Sequence, residues 1–398
     1  MSEESKNSFL DLDKNLFHYI LCYIPNKEPN YFHINKNNYI SNEEPNYFHL
    51  YENICDLLNT CKALNKLKYD FSYFDFFTNS SKKYYANKNF RDYVSSKINT
   101  KKQLRINLSY SDFIFDTNTF SDIHTLHLCS CHNITDLSYL GDIHNLYLSG
   151  CRNITNVSVL GKMKIHTLDL SDTNITDVSA LGKIHNLKLS NCVNITDVSA
   201  LGNIHTLDLS DTNITDVSSL KNVHNLYLDN CKNITDVSAL GNVYNLELYG
   251  CSNITDVSAL GTVYHLNLSY CSKITNVSAL GKVHILNLST CYGITDVSAL
   301  GNVYDLNLVN CMNITDVSTL GNVHNLCLFG CNKITDVSAL GNVHYLDISF
   351  CRNITDISAL KNVKIINYTS DSDDENNYHH DYYDDHDDYD DYGLLRYS

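Results

Sequence analysis

Ten cysteines recur at one position of a repeated phrase: Cys131, Cys151, Cys192, Cys231, Cys251, Cys271, Cys291, Cys311, Cys331 and Cys351. A column of imidazoles runs beside them, at His124, His144, His166, His185, His205, His224, His284, His324 and His344, with tyrosine at Tyr244, Tyr264 and Tyr304. Thiolates and imidazoles are zinc ligands, but zinc needs four of them converging on a point. A strict repeat lays its side chains out as parallel vectors instead. The thiols are therefore expected as small buried groups whose S–H meets the turn backbone, and the imidazoles as a stacked amphipathic edge. No secretory leader precedes them, so the expectation is reduced thiols in a cytoplasmic compartment. Serine, aspartate and histidine are plentiful because the repeat contains them, so triad-like groupings arise by repetition alone. No catalytic residue, metal or cofactor is assigned.

The elements that position these columns are legible in one unit, "LGNVYNLELYGCSNITDVSA" from Leu240. Its inward candidates are Leu240, Val243, Leu246, Leu248, Cys251, Ile254 and Val257, and Leu260 opens the next unit. The spacing is three throughout except for the two of Leu-x-Leu. A helix alternates threes and fours, and a strand uses twos. Only Leu-x-Leu has strand spacing; the threes describe a chain turning corners. Such coils stack their short strands in parallel, about 4.8 Å apart, around a continuous core.

"LYLSGCRNIT" and "ITDVSALGNV" resemble leucine-rich repeats, with features of the cysteine-containing and internalin-like subclasses. The resemblance covers residues 104–368. It implies an α/β solenoid, a leucine-rich-repeat horseshoe of about 13 coils with one short parallel strand per 20-residue coil. Residues 70–103 read as a connector or N-terminal cap, with a basic helix in "SKKYYANKNFRDYVSSKI". The stretch 369–398 reads as an acidic disordered tail, since ten Asp and one Glu fall between Asp371 and Asp391.

With the inward positions forced, the outward strand positions are where units differ. The residue between the two leucines reads Tyr147, Asp169, Lys188, Asp208, Tyr227, Glu247 and Asn267 through the middle of the array. The next outward column holds Asp229, Tyr249, Val309 and Phe329 amid serine. Tyrosine and carboxylates on a rigid sheet suit recognition of a protein target, and drift at solvated positions is the competing reading. Tyr227 to Tyr270 is the most aromatic stretch. The net charge of −16 argues against nucleic acid as partner, and no apolar run has the length to span a bilayer.

A different text occupies residues 1–69. "LDKNLFHYILCYIP" has a helical apolar face ended by Pro25, and "ICDLLNTCKALNKL" offers a second helix. The pair resembles an F-box, with Leu12, Leu16, Ile20, Leu21, Pro25, Leu57, Leu58 and Cys61 on the family's apolar and Cys-Lys positions. Asp13 stands where that motif usually has proline, and the interval between the halves is long, with "EPNYFH" written twice. The F-box resemblance implies docking to a Skp-type adaptor of a cullin ubiquitin ligase, with the repeats as substrate receptor. Together with a composition rich in Asn, Lys, Ile and Tyr, the chain resembles F-box and repeat proteins of giant DNA viruses. The alternative is a non-catalytic binding scaffold whose first helices only cap the array.

Overall fold

The computed structural model describes residues 74–76, 78–97, 104–114, 117–120 and 123–367. The F-box-like positions from Leu12 to Cys61 and the acidic tail lie outside the described residues. Fifteen short strands form one parallel sheet in strict chain order. β1 spans Phe74–Phe76 and β2 Leu104–Asn107; thereafter each coil adds one strand of three residues, from β3 (Thr125–His127) to β15 (Ile365–Asn367). Parallel neighbours need a crossover, and the remainder of each coil supplies it. This is a leucine-rich-repeat solenoid.

The step of three has a direct cause. In the coil of β9 (Asn245–Glu247), Cys251 N–H donates to Leu248 O and Ile254 N–H to Cys251 O. Further on, Leu260 N–H donates to Val257 O and Val263 N–H to Leu260 O. Each such bond closes a corner whose first and last residues both point inward. The strand segment bonds outward to the next coil: Leu248 N–H reaches Asn267 O at 2.9 Å and Gly250 N–H reaches Ser269 O at 2.9 Å. The inward leucines, Leu246 and Leu248 among them, are fully buried, each worth about 1.5–3 kcal/mol.

Polar residues of the phrase "NITDVS" do structural work at the corners. Asp256 Oδ1 accepts the Ser258 N–H at 2.8 Å, and that bond holds its carboxyl below the usual range. Asn276 makes the same bond in its coil. Asn253 Nδ2 donates to Lys232 O of the preceding coil at 2.7 Å. After each strand from β2 to β14 the chain bends through a left-handed residue, at Gly250 (φ 69°) without penalty. The β-branched Thr290 adopts the same region (φ 60°), at a cost of about 1–2 kcal/mol. Gly261 allows close approach of coils: a Cβ there would lie 2.3 Å from Ala279 O.

The cysteines occupy the corner after the strand. Cys251 Sγ donates to Leu228 O of the preceding coil at 3.1 Å, and Cys271 Sγ to Leu248 O at 3.2 Å. Each thiol proton thus satisfies a buried carbonyl. In two shortened coils threonine stands at this corner, and Thr173 Oγ1 donates to its own coil's Leu170 O at 2.6 Å. Burial pushes the ladder thiols up, to about 12 at Cys151, Cys271 and Cys311.

The connector is more structured than a single basic helix. β1 pairs with β2, matching Phe74 to Leu104 and Phe76 to Ile106. Two helices follow it, α1 (Thr78–Ala86) and α2 (Lys88–Lys97). Tyr84 of α1 is fully buried in the solenoid core, and Tyr85 stacks on Phe120 at 5.6 Å. Arg91 Nη1 of α2 donates to Tyr84 O and Tyr85 O near the end of α1. This packing covers the open side of the first coils.

The thiol ladder generates a measurable expectation. At pH 8 the native protein should expose at most the five non-ladder thiols of its fifteen to rapid labelling, and all fifteen after denaturation. Fast native labelling of the ladder would contradict the burial and the thiol-to-carbonyl bonds.

Candidate functional site

Side chains that point away from the core on β4 to β10 form the face where coils differ. These strands run from Asn145–Tyr147 to His265–Asn267. In-register pairing places Tyr147 beside Asp169, Asp169 beside Lys188, Lys188 beside Asp208, Asp208 beside Tyr227, and Tyr227 beside Glu247. Asn267 follows Glu247. The structure therefore gathers these residues into one continuous column.

Their duties divide. Asp169 and Asp208 each accept the N–H two residues on, at Ser171 and Ser210, both at 2.9 Å. Asn267 accepts both the N–H and the hydroxyl of Ser269. Asn287, Asn307 and Asp347 make the same backbone bond. Much of this column is thus held by strand-end caps, a role visible as Asp or Asn two residues before serine. Tyr147 stacks face to face on His127 at 4.3 Å. Lys188 is exposed.

Sequence reasoning placed Asp229 in the second outward column but did not count it among the target-binding residues. Its Oδ1 accepts the Tyr249 N–H at 2.9 Å, and only 8% of the residue is exposed. Glu247 is equally buried, at 7%. Burial, then the charge of Glu247, push the Asp229 carboxyl up to about 7, with Asp208 and Asp211 adding to the effect. The His265 imidazole stands beside Glu247, its Nε2 3.9 Å from Oε1. Tyr249 packs against Tyr270, ring centroids 5.0 Å apart, and Tyr270 is half exposed. Two neighbouring carboxylates, one outward tyrosine at a strand end and two on the turns make this the most distinctive part of the face.

The imidazole column forms an unbroken line of ring contacts along the strand starts, stacked or tilted until the edge-on contacts of Tyr304, His324 and His344. Successive rings from His124 through His224, Tyr244, Tyr264, His284, Tyr304 and His324 to His344 lie 4.5–4.9 Å apart. Coil spacing sets that distance. Burial, then the neighbours His185 and His224, depress the His205 imidazole. His185 Nδ1 and Asn186 Oδ1 lie 2.9 Å apart, within hydrogen-bond distance. Among the described residues no three His, Cys, Asp or Glu side chains are placed to hold a metal ion. No described helix is long and apolar enough to cross a membrane.

No family model and no curated protein matches the chain. Among solved structures it is similar to an internalin of Listeria monocytogenes, at 23% identity over 64% of this chain and 83% of that one, with a TM-score of 0.48. It is also similar to a functional domain of InlJ from the same species, which includes a cysteine ladder (19% identity, 66% and 60% covered, TM-score 0.45). A leucine-rich-repeat protein of Leptospira interrogans shows 17% identity over 66% and 83%, with a TM-score of 0.45. The repeat geometry, rather than these likenesses, defines the fold.

The buried carboxyl yields a test with a fixed sign. Asp229 binds its proton more tightly folded than unfolded, where its value is about 3.9. The stability this proton supplies is full below that value and is lost as pH rises through about 7. Asp229→Asn, which can still accept the Tyr249 N–H, should therefore melt higher than the wild type at pH 8. The gap should close toward pH 4. Equal melting temperatures at pH 8 would remove the case for a strained carboxylate pair.

Proposed function

We propose that the protein is a non-catalytic, protein-binding substrate receptor of a cullin-type ubiquitin ligase. Its first 69 residues dock a Skp-type adaptor, and its outward strand face holds the target. The observation that carries the binding half is the contrast within each coil. Corner and core residues repeat almost without change, while the outward strand column alternates Tyr, Asp, Lys, Glu and Asn on a rigid parallel sheet. Rigid aromatic and charged side chains lose little entropy on binding and suit hot spots.

The ligase half rests on the F-box resemblance of Leu12, Leu16, Ile20, Leu21, Pro25, Leu57, Leu58 and Cys61. One structural fact supports it. Covering the first coils already falls to β1, α1 and α2, with Tyr84 in the core. That duty therefore does not require the apolar pattern of residues 12–64. In this reading the protein works in the cytoplasm, that of an infected host cell if the viral resemblance holds. The second reading, a scaffold without a ligase, shares the same binding face and drops the adaptor.

Leu16→Asp combined with Leu57→Asp separates the two. Under the ligase reading, purified Skp-type adaptor binds the wild type and is lost from the double variant, whose melting temperature is unchanged. Tyr227→Ala with Glu247→Ala and Tyr249→Ala should keep the adaptor and weaken target capture. If the wild type holds no adaptor and the double variant melts lower, the helices are only a cap and the scaffold reading stands alone.

A further inference from the structure

The outward face and the turns behind it carry six carboxylates between β5 (Thr167–Asp169) and β9: Asp169, Asp172, Asp208, Asp211, Asp229 and Glu247. One cation, Lys188, shares their columns. Although Asp169 and Asp208 flank it in register, it makes no ion pair among the described residues. The charge of this patch is therefore largely unneutralised.

At its centre the burden is greatest. Asp229 and Glu247 are each more than nine-tenths buried. Glu247 accepts no hydrogen bond among the described residues, and the His265 Nε2 stands 3.9 Å from its Oε1, beyond hydrogen-bond reach. Neither Glu247 oxygen is among the side-chain atoms sealed from solvent without a partner, so the carboxylate opens onto the face. Tyr227 pairs in register with Glu247, and Tyr249 donates its N–H to Asp229. Tyr270 continues this aromatic wall into solvent.

We propose that this face takes a basic segment of a partner protein, with an Arg or Lys side chain entering between Tyr227, Tyr249 and Tyr270 to reach the Asp229 and Glu247 carboxylates. The proposal rests on the reading of the outward face as a target-binding surface and names the chemistry of the target. A guanidinium supplies planar donors matched to carboxylates, and aromatic faces favour a cation beside them. Nucleic acid is repelled. So is the chain's own tail, with eleven carboxylates between Asp371 and Asp391, and residues 1–73 also carry more acidic than basic side chains.

The test uses the full-length chain and immobilised short peptides on one Gly-Ser background, with Arg, Lys, Gln or Glu at alternate positions. Arg and Lys peptides should bind, Gln and Glu peptides should not, and added salt should weaken the binding. Asp229→Asn with Glu247→Gln should lower Arg-peptide affinity by about tenfold or more without lowering the melting temperature. Asp347→Asn, at the far end of the face, should leave affinity unchanged. Undiminished binding by the double variant would overturn the site. Equal binding of Gln peptides would overturn the basic chemistry while leaving protein recognition intact. Free spermine binding as tightly as the Arg peptide would mark a small-cation site and overturn the protein partner. A wild type that holds none of the peptides overturns this proposal alone. The broader reading fails separately, if Tyr227→Ala with Tyr249→Ala leaves a crosslinked target's capture unchanged.

Discussion

Every coil depends on hydrogen bonds that it cannot make by itself. Its strand amides donate to the next coil, as Leu248 does to Asn267 and Leu268 does to Asn287. The thiol of Cys271 reaches back to Leu248 of the preceding coil. A single coil would leave these groups unsatisfied and its leucines exposed, so the structure exists only as a stack in register. Register in turn fixes the inward residues, the left-handed bend after the strand and the glycine that lets Gly261 approach Ala279. Chemistry-bearing residue types are absorbed into the same scheme. Thiols become donors to buried carbonyls, and the aspartates of "NITD" become corner caps.

This constraint explains where variation is tolerated. A side chain between the two leucines contacts its in-register neighbours on the outward surface and touches nothing in the core. Substitution there leaves the buried columns intact. Some positions still serve the backbone, as Asp169 and Asn267 do. Others, Tyr227 and Glu247 foremost, lack that duty, and the charge of Glu247 works against the ionised form of Asp229. Two adjacent buried carboxylates, one held near pH 7 for its proton, are an arrangement that a cationic ligand would relieve. Functional sites commonly carry such unfavourable electrostatics.

Much of this was legible from spacing. The inward columns follow from a three-residue corner that closes on itself, and the buried leucines, valines, isoleucines and cysteines of the array follow those columns. The capping of Asp169 and Asp208 was present in the sequence as Asp-x-Ser but obscured by the assumption that variable means unemployed. β1 and α1 were harder, because "FDF" has no repeat partner and helix α1 gains its place through Tyr84 and Tyr85 packing on distant residues. The burial of Asp229, named only as an outward residue, was not legible for a related reason. Its neighbours Tyr249 and Glu247 belong to the adjoining coil, and no single repeat displays that neighbourhood.

The central claim is that stacking alone holds the fold while the outward residues are free to recognise a partner. The most direct measurement is the melting temperature of a chain carrying Tyr227→Asn, Asp229→Ser, Glu247→Asn and Tyr249→Ser, the residue types that coils beside Asn267 and Asn287 already use. Those coils satisfy their strand ends through Asn-to-serine bonds, so the same bonds should form in the variant. The account predicts a melting temperature at pH 8 equal to the wild type or higher. A fall of about 10 °C, well beyond what a solvated position carries, would show that these side chains hold the fold together and would contradict it.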